Sequence, residues 1–344
     1  MKLIKTKDAV GHVLCHDITR IIPGVEKGPV FRKGHIVTED DIPVLLSVGK
    51  ENLYVWEKTE GILHEDEAAE VLAGICTGGS DVLTASKPSE GKITITSAAE
   101  GLLKVRRESL NAVNSLGEMM IAAVHGNFPV KRGDIIAATR IIPLVIEEAK
   151  MDRAREAAGD EPLLYIMPFR RMKTAMVTTG NEVAAGRIRD AFGPVIKEKL
   201  KEYDVPFIGQ KIVSDDRAAI TDAVLEYVRE GAELVAVTGG MSVDPDDRTP
   251  GAIKDTGAEI ISYGAPVLPG AMFLLAYLTY EDRTVPVMGL PGCVMYAGRT
   301  IFDLVLPRIL AGERLTSEDL VSYGEGGLCL NCKECRFPNC GFGK

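Results

Sequence analysis

The run Thr238-Gly239-Gly240-Met241-Ser242-Val243-Asp244-Pro245-Asp246-Asp247, entered from the strand-like stretch Glu233 to Val237, constrains this chain more than any other segment. Glycines let backbone N–H groups approach phosphate oxygens. Aspartates repel a bare phosphate and make sense beside one when a hard cation such as Mg²⁺ lies between them. A solvated acidic turn is the competing reading of the same residues. Two further strand-like segments end in the same way. Lys173 to Val177 runs into Thr178-Thr179-Gly180-Asn181-Glu182, and Thr284 to Met288 runs into Gly289-Leu290-Pro291-Gly292. In an open α/β sheet, ligands gather at the carboxyl ends of parallel strands, where such loops converge.

The pattern around these loops predicts the architecture. From about Arg170, helical periodicity over Gly193 to Tyr203, a strand over Pro206 to Val213 and an amphipathic helix over Asp215 to Arg229 precede the strand Glu233 to Val237. A helix capped by Thr249 with Pro250 at its first position follows, then a long helix over Val294 to Leu310. Such alternation implies a three-layer αβα domain with a mostly parallel sheet, expected over residues 171–315. Upstream, residues 1–58 form an α+β segment with a strand and turn at Phe31 to Val37, a helix capped by Thr38, and a strand at Leu53 to Trp56 whose tryptophan belongs in a core. Residues 59–150 form a β-rich α+β region, with an acidic helix near Glu65 to Ala73 and strands such as Lys92 to Thr96 and Ile135 to Ala137. The charged, Ala-rich stretch from Glu147 to Pro162, closed by Gly159 and Pro162, suits a short helix serving as a domain junction, with a linker over 151–170, and 316–344 form a Cys-rich tail.

Composition narrows the function. The net charge of −9, with no basic run, argues against nucleic acid as a main partner. No apolar stretch approaches the roughly 18 to 20 residues of a membrane span, and the first residues lack the apolar core of a leader, so a cytoplasmic protein is expected. Four of the seven cysteines lie in the last sixteen residues. Cys329, Cys332, Cys335 and Cys340 have C-x2-C-x2-C-x4-C spacing, and four thiolates suit tetrahedral Zn²⁺ or an iron–sulfur cluster. A tail this short and polar is expected to fold around its metal while the α/β domain folds without it. Cys293 reads either as a small buried residue or as a thiol acidified at a helix start. The five histidines all precede residue 126 and read as structural or exposed.

The four loops TTGNE, SDD at 214–216, TGGMSVDPDDRTP and LPG at 290–292, in this order, resemble the molybdopterin-binding domain of molybdenum cofactor biosynthesis proteins, the family of molybdopterin adenylyltransferase and molybdopterin molybdotransferase. The resemblance covers roughly residues 171–315, and Phe31 to Val55 is also similar to part of the molybdotransferase N-terminal region. It implies a domain that binds the dithiolene pterin phosphate with Mg²⁺, and an enzyme that adenylylates molybdopterin or helps insert molybdate. A carrier delivering cofactor to a molybdoenzyme partner is the rival, with a phosphoanhydride hydrolase third; a homo-oligomer is compatible with each. By position, the resemblance assigns Thr179, Gly180 and Glu182 to the first loop and Asp215 and Asp216 to the second. Gly239, Gly240, Ser242 and Asp247 fall in the third, and Pro291 and Gly292 in the fourth. It implies Asp247 and Asp216 as Mg²⁺ ligands, with Asp215 beside them in catalysis.

The chain departs from the molybdotransferase pattern at Asp190-Ala191-Phe192, where Asp-Ser-Asn is usual, and at Cys293, where Asn is frequent. In Leu268-Pro269-Gly270-Ala271, two basic residues are absent, while Asp247-Arg248-Thr249-Pro250 is closer to the adenylyltransferases. Asp215 and Asp216 also suit a plain helix start, where carboxylates favour the dipole by about 0.3 to 1 kcal/mol.

Overall fold

The computed structural model describes residues 2–22, 26–55, 60–245 and 247–344, so Trp56 and Asp246 lie outside the described residues. The chain divides into two units. One comprises residues 1–98, 105–124 and 132–165, and the other 99–104, 125–131 and 166–344.

In the first unit, strand Lys2–Lys5 pairs antiparallel with Asn52–Val55, and Ile18–Ile22 forms a hairpin with Glu26–Phe31. Helix Asp41–Ser47 begins three residues after the expected cap. The Asp41 carboxylate accepts both the N–H and the hydroxyl of Thr38, each at 2.8 Å. Leu14, Ile18, Val37, Leu45 and Leu53 close a small core. Farther along, Lys92–Ser97 alternates exposed and buried residues in an antiparallel sheet with Leu83–Ala85, Ile135–Ile141 and Met119–Ala123. Helix Glu65–Thr77 buries Ala68, Ala69, Leu72 and Cys76. Helix Glu148–Ala158, where a short helix at a domain junction was expected, buries Met151, Ala154 and Ala158.

The second unit is an α/β fold on a six-stranded sheet. Its strands are β1 (Thr174–Thr179), β2 (Phe207–Val213), β3 (Leu234–Thr238), β4 (Glu259–Tyr263), β5 (Leu274–Tyr280) and β6 (Arg283–Leu290), in the order β2-β1-β3-β6-β5-β4. The first four in that order run parallel, and β5 and β4 add antiparallel. Strand β1 is buried throughout, as a parallel strand covered on both faces must be. The period of two sorts its residues: Ala175 and Val177 meet α2 (Arg217–Arg229) and α3 (Thr249–Asp255), while Met176 faces the core that holds α1 (Phe192–Lys201) and α4 (Ile301–Leu310). The register aligns Thr179 with Val213, Thr178 with Thr238, and Thr238 with Leu290, so the four Gly- and Asp-bearing loops leave one edge of the sheet.

Two expectations fail here for physical reasons. The helix read over Val294 to Leu310 is a 3₁₀ turn, Gly292–Met295, followed by the separate helix α4. Thr300 and Asp303 form a capping box that starts α4 afresh. The last residues pack on the α/β core instead of standing apart as a polar tail. Tyr323 and Phe342 are buried in the α/β core, Phe337 packs against it, and the Phe337 ring lies 5.7 Å from Phe128 and 6.1 Å from Phe342. Among the described residues, no helix is long and apolar enough to cross a membrane.

Candidate active site at the carboxyl edge of the sheet

The third loop is shaped by close packing against the first. Gly239 has φ +90°, and a Cβ there would lie 2.4 Å from the Thr179 carbonyl oxygen, so a side chain is excluded on both counts. Thr249, expected as a cap, is instead the first residue of α3. Its hydroxyl donates to the Gly239 carbonyl at 2.8 Å and lies 3.4 Å from Thr179 Oγ1, while its N–H reaches the Gly240 carbonyl at 3.2 Å. Thr179 therefore underpins the loop. Among the described residues, no protein acceptor is hydrogen-bonded to the backbone N–H groups of Gly240, Met241 and Ser242. Asp247 is fixed by its N–H to the Asp244 carbonyl, 2.9 Å, and by accepting the Asp244 N–H at 3.3 Å. From β4, the Tyr263 hydroxyl donates to the Met241 carbonyl at 2.9 Å, and burial, then the nearby Asp247 charge, raises its pKa.

This loop, the fourth loop and Leu268 to Met272 enclose a cavity of about 710 Å³. Gly239, Gly240, Ser242, Asp247, Pro291 and Gly292 line it. Among the described residues lining it, Asp247 is the one charged group. The remaining candidates stand outside the lining. Asp215 accepts the Asn181 N–H at 2.9 Å while Asn181 accepts the Asp215 N–H at 3.3 Å, clasping the first two loops together. Asp216 caps α2 through the Ala219 N–H at 2.8 Å. Glu182 is exposed on a four-residue helix, and Gly180 precedes it at φ +143°. The second-loop carboxylates thus make local hydrogen bonds to the first loop and to the start of α2.

Sequence reasoning missed several walls. Phe192, Met272, Met295 and Tyr296 line the cavity, as do Leu328 and Cys329. Asp190 sets Phe192 in place by accepting the N–H groups of Phe192 and Gly193, at 2.9 and 3.0 Å, and the Gln210 amide at 2.6 Å. The Asp190-Ala191-Phe192 departure was the available signal for Phe192; nothing local marked Leu328. Cys293 also lines the cavity, and burial pushes its thiol pKa up, against the acidification expected at a helix start.

The metal expectations divide. Of the two carboxylates expected for Mg²⁺, Asp247 lines the cavity, whereas Asp216 caps α2 outside it. The four tail cysteines are not gathered into one cluster among the described residues. Cys332 and Cys335 are exposed, Cys329 and Cys340 are half-buried against the core, and no group of three or more His, Cys, Asp or Glu among the described residues is placed to hold a metal ion.

Residues 175–311 match the profile described as a probable molybdopterin binding domain. Residues 3–57 match a domain of unknown function (DUF8806). The chain is 35% identical over 83 residues to the molybdenum cofactor biosynthesis bifunctional protein of Synechococcus elongatus, a match covering 24% of this chain and 26% of that one. It is 29% identical over 133 residues to the molybdopterin adenylyltransferase of Pyrococcus furiosus, covering 36% of this chain and 78% of the relative. With the molybdopterin molybdenumtransferase of Staphylococcus epidermidis it shares 23% identity over 288 residues, 80% of this chain and 63% of the relative.

Proposed function

We propose that the chain binds molybdopterin or its adenylylated form in this cavity and acts in molybdenum cofactor biosynthesis as a transferase on that pterin. The observation that carries the reading is the third loop, where three backbone N–H groups without acceptors among the described residues and the Asp247 carboxylate border one cavity. Unpaired N–H groups suit phosphate oxygens. A bound Mg²⁺ would be held by Asp247 and would neutralise charge at the transferring group. The chain itself contributes orientation: Thr249 and Thr179 hold the loop, and Tyr263 fixes its Met241 carbonyl. Adenylyl transfer is favoured over molybdate insertion because Thr249, in the Asp-x-Thr-Pro pattern of the adenylyltransferases, is the residue that ties the loop down. A carrier role is the second reading, favoured by a lining without Lys, Arg or His among the described residues.

Gly292→Leu tests the site. A Cβ at Gly292 meets nothing nearer than the Met295 methyl at 4.0 Å, so the new side chain enters the cavity without straining the backbone. Molybdopterin affinity is expected to fall at least about tenfold, the equivalent of 1.4 kcal/mol. Unchanged affinity in a normally folded variant overturns the reading. Turnover of ATP and molybdopterin by the wild type, against binding alone, separates transferase from carrier.

A further inference from the structure

One aromatic side chain of the cavity is held by more than packing. Phe192 is half-buried and lines the cavity, yet it joins neither of the two cores that flank the sheet. A phenyl ring in a core is accounted for by the area it removes from water. This one instead makes part of the cavity wall apolar.

A chain of hydrogen bonds fixes the start of α1, where Phe192 stands. The Asp190 carboxylate accepts the N–H groups of Phe192 and Gly193, and Gln210 on β2 donates its amide to Asp190 at 2.6 Å and to the Thr178 hydroxyl of β1 at 2.9 Å. Thr178 also accepts from the Thr238 hydroxyl at 3.1 Å, and Thr238 ends β3 beside Gly239. Thr178 and Thr238 are fully buried. Gly193 permits the arrangement, since a Cβ there would lie 2.6 Å from Gln210 Oε1 and closer still to the Asp190 carboxylate. Satisfied buried polar networks hold one geometry. The turn that carries Phe192 is therefore tied, through β2 and β1, to the base of the third loop.

The lining chemistry restricts what this wall accepts. Outside the third loop, Phe192, Leu268, Met272, Met295 and Leu328 contribute no charge, and Asp247 is the one charged group among the described lining residues. A sugar or a free oxyanion set against these side chains would give up water and gain no partner. A planar heteroaromatic ring would lose little, because its face is apolar and stacks favourably on an aromatic side chain whatever its edge pattern.

We propose that Phe192 is the specificity-determining residue of this cavity, receiving the planar heteroaromatic ring of a phosphate ester whose phosphate meets the third loop. The inference deepens the molybdopterin reading and rests on it, since a pterin and the adenine of an adenylylated pterin are both rings of this class. Asp190 and Gln210 act through Phe192, by positioning it.

The full-length chain is titrated calorimetrically with molybdopterin, AMP and ribose 5-phosphate, the last being AMP without its ring. The wild type is expected to prefer one or both ring-bearing ligands over ribose 5-phosphate by about tenfold or more, and which of them it prefers separates pterin from adenine as the source of the ring. Phe192→Ala should lose most of that preference while ribose 5-phosphate affinity stays within about twofold, and Phe192→Tyr, which keeps the aromatic face, should restore it. Phe192→Leu retains apolar bulk for folding and should lose an intermediate share. An equal loss for all three ligands would mark a merely structural role and overturn the proposal, as would a wild-type preference in both Phe192→Ala and Phe192→Leu. If that preference persists while Gly292→Leu loses molybdopterin, the site reading stands and this inference alone falls. If the wild type binds no ring-bearing ligand, both fall.

Discussion

Asp303→Asn should be among the most damaging conservative changes in the α/β unit. The Asp303 carboxylate, 2% exposed, accepts from Lys199 Nζ at 2.6 and 2.9 Å, from Arg299 at 2.8 Å and from the Thr300 N–H at 2.7 Å. Asparagine keeps the shape and can still accept from Thr300, so what disappears is the negative charge. Arg299 retains Glu202 at 2.9 Å, whereas Lys199, 9% exposed, is left with the Gly298 carbonyl. Stranding one partner of a buried pair costs about 3–5 kcal/mol, a large share of the roughly 5–15 kcal/mol that holds a domain together. Lys199→Met should cost less, about 2 kcal/mol, because Asp303 keeps Arg299 and the Thr300 N–H. The single tryptophan, Trp56, lies in the other half of the sequence, so hydrogen exchange in β1 and β3 is the suitable measure of this unit's opening free energy. The loop between Met295 and Thr300 is tethered by the same charges, so exchange at residues 292–297 should rise as well. A loss below about 1 kcal/mol for Asp303→Asn, or a Lys199→Met loss equal to or above it, refutes the reasoning.

In the first unit, burial and then the neighbouring Asp66 raise the Glu65 carboxyl from 4.5 to about 7. The folded state then binds more protons than the unfolded state between those values, so this group makes stability fall as pH climbs through about 4.5 to 7 and level off above. Glu65→Gln should remove that slope and stabilise the unit by about 2–3 kcal/mol at pH 8 with little effect at pH 4.5, read from urea midpoints at both pH values. Equal differences at the two would count against it. Asp247→Asn should depress Mg²⁺-dependent turnover by about tenfold or more while changing pterin affinity in EDTA much less, since a hard cation prefers charged oxygen; wild-type rates across a Mg²⁺ titration would remove its metal role. Phe342→Ala should destabilise the α/β unit by about 3–5 kcal/mol, because the ring is buried in its core. A chain ending at Tyr323 should melt lower still, and melting within about 2 °C of the full chain would show that the terminal segment is dispensable.

Much of the α/β unit was legible locally. Apolar runs of strand length, amphipathic helices and glycines after strands are patterns written within a dozen residues, and they placed β1, β2, β3 and β6 within a residue or two of their observed ends. The third-loop residues Gly239, Gly240, Ser242 and Asp247 were legible because backbone geometry and charge at one turn are local properties. Which carboxylates would share the cavity was not. Asp215 and Asp216 carry the same chemistry as Asp247, but a clasp to Asn181 and the N-terminus of α2 claimed them first, and only the packed loops decide that competition. The fate of the C-terminal segment was likewise tertiary: spacing alone suggested four thiols around a metal, whereas burial of Phe342 and pairing of Cys329 with Leu268 seat the segment on the α/β unit. By itself the sequence determined the elements, the turns between them and the donors each turn could offer. The tertiary structure decided which donors meet, because strand register and core burial act between residues far apart in the chain, and no local pattern encodes the distance between them.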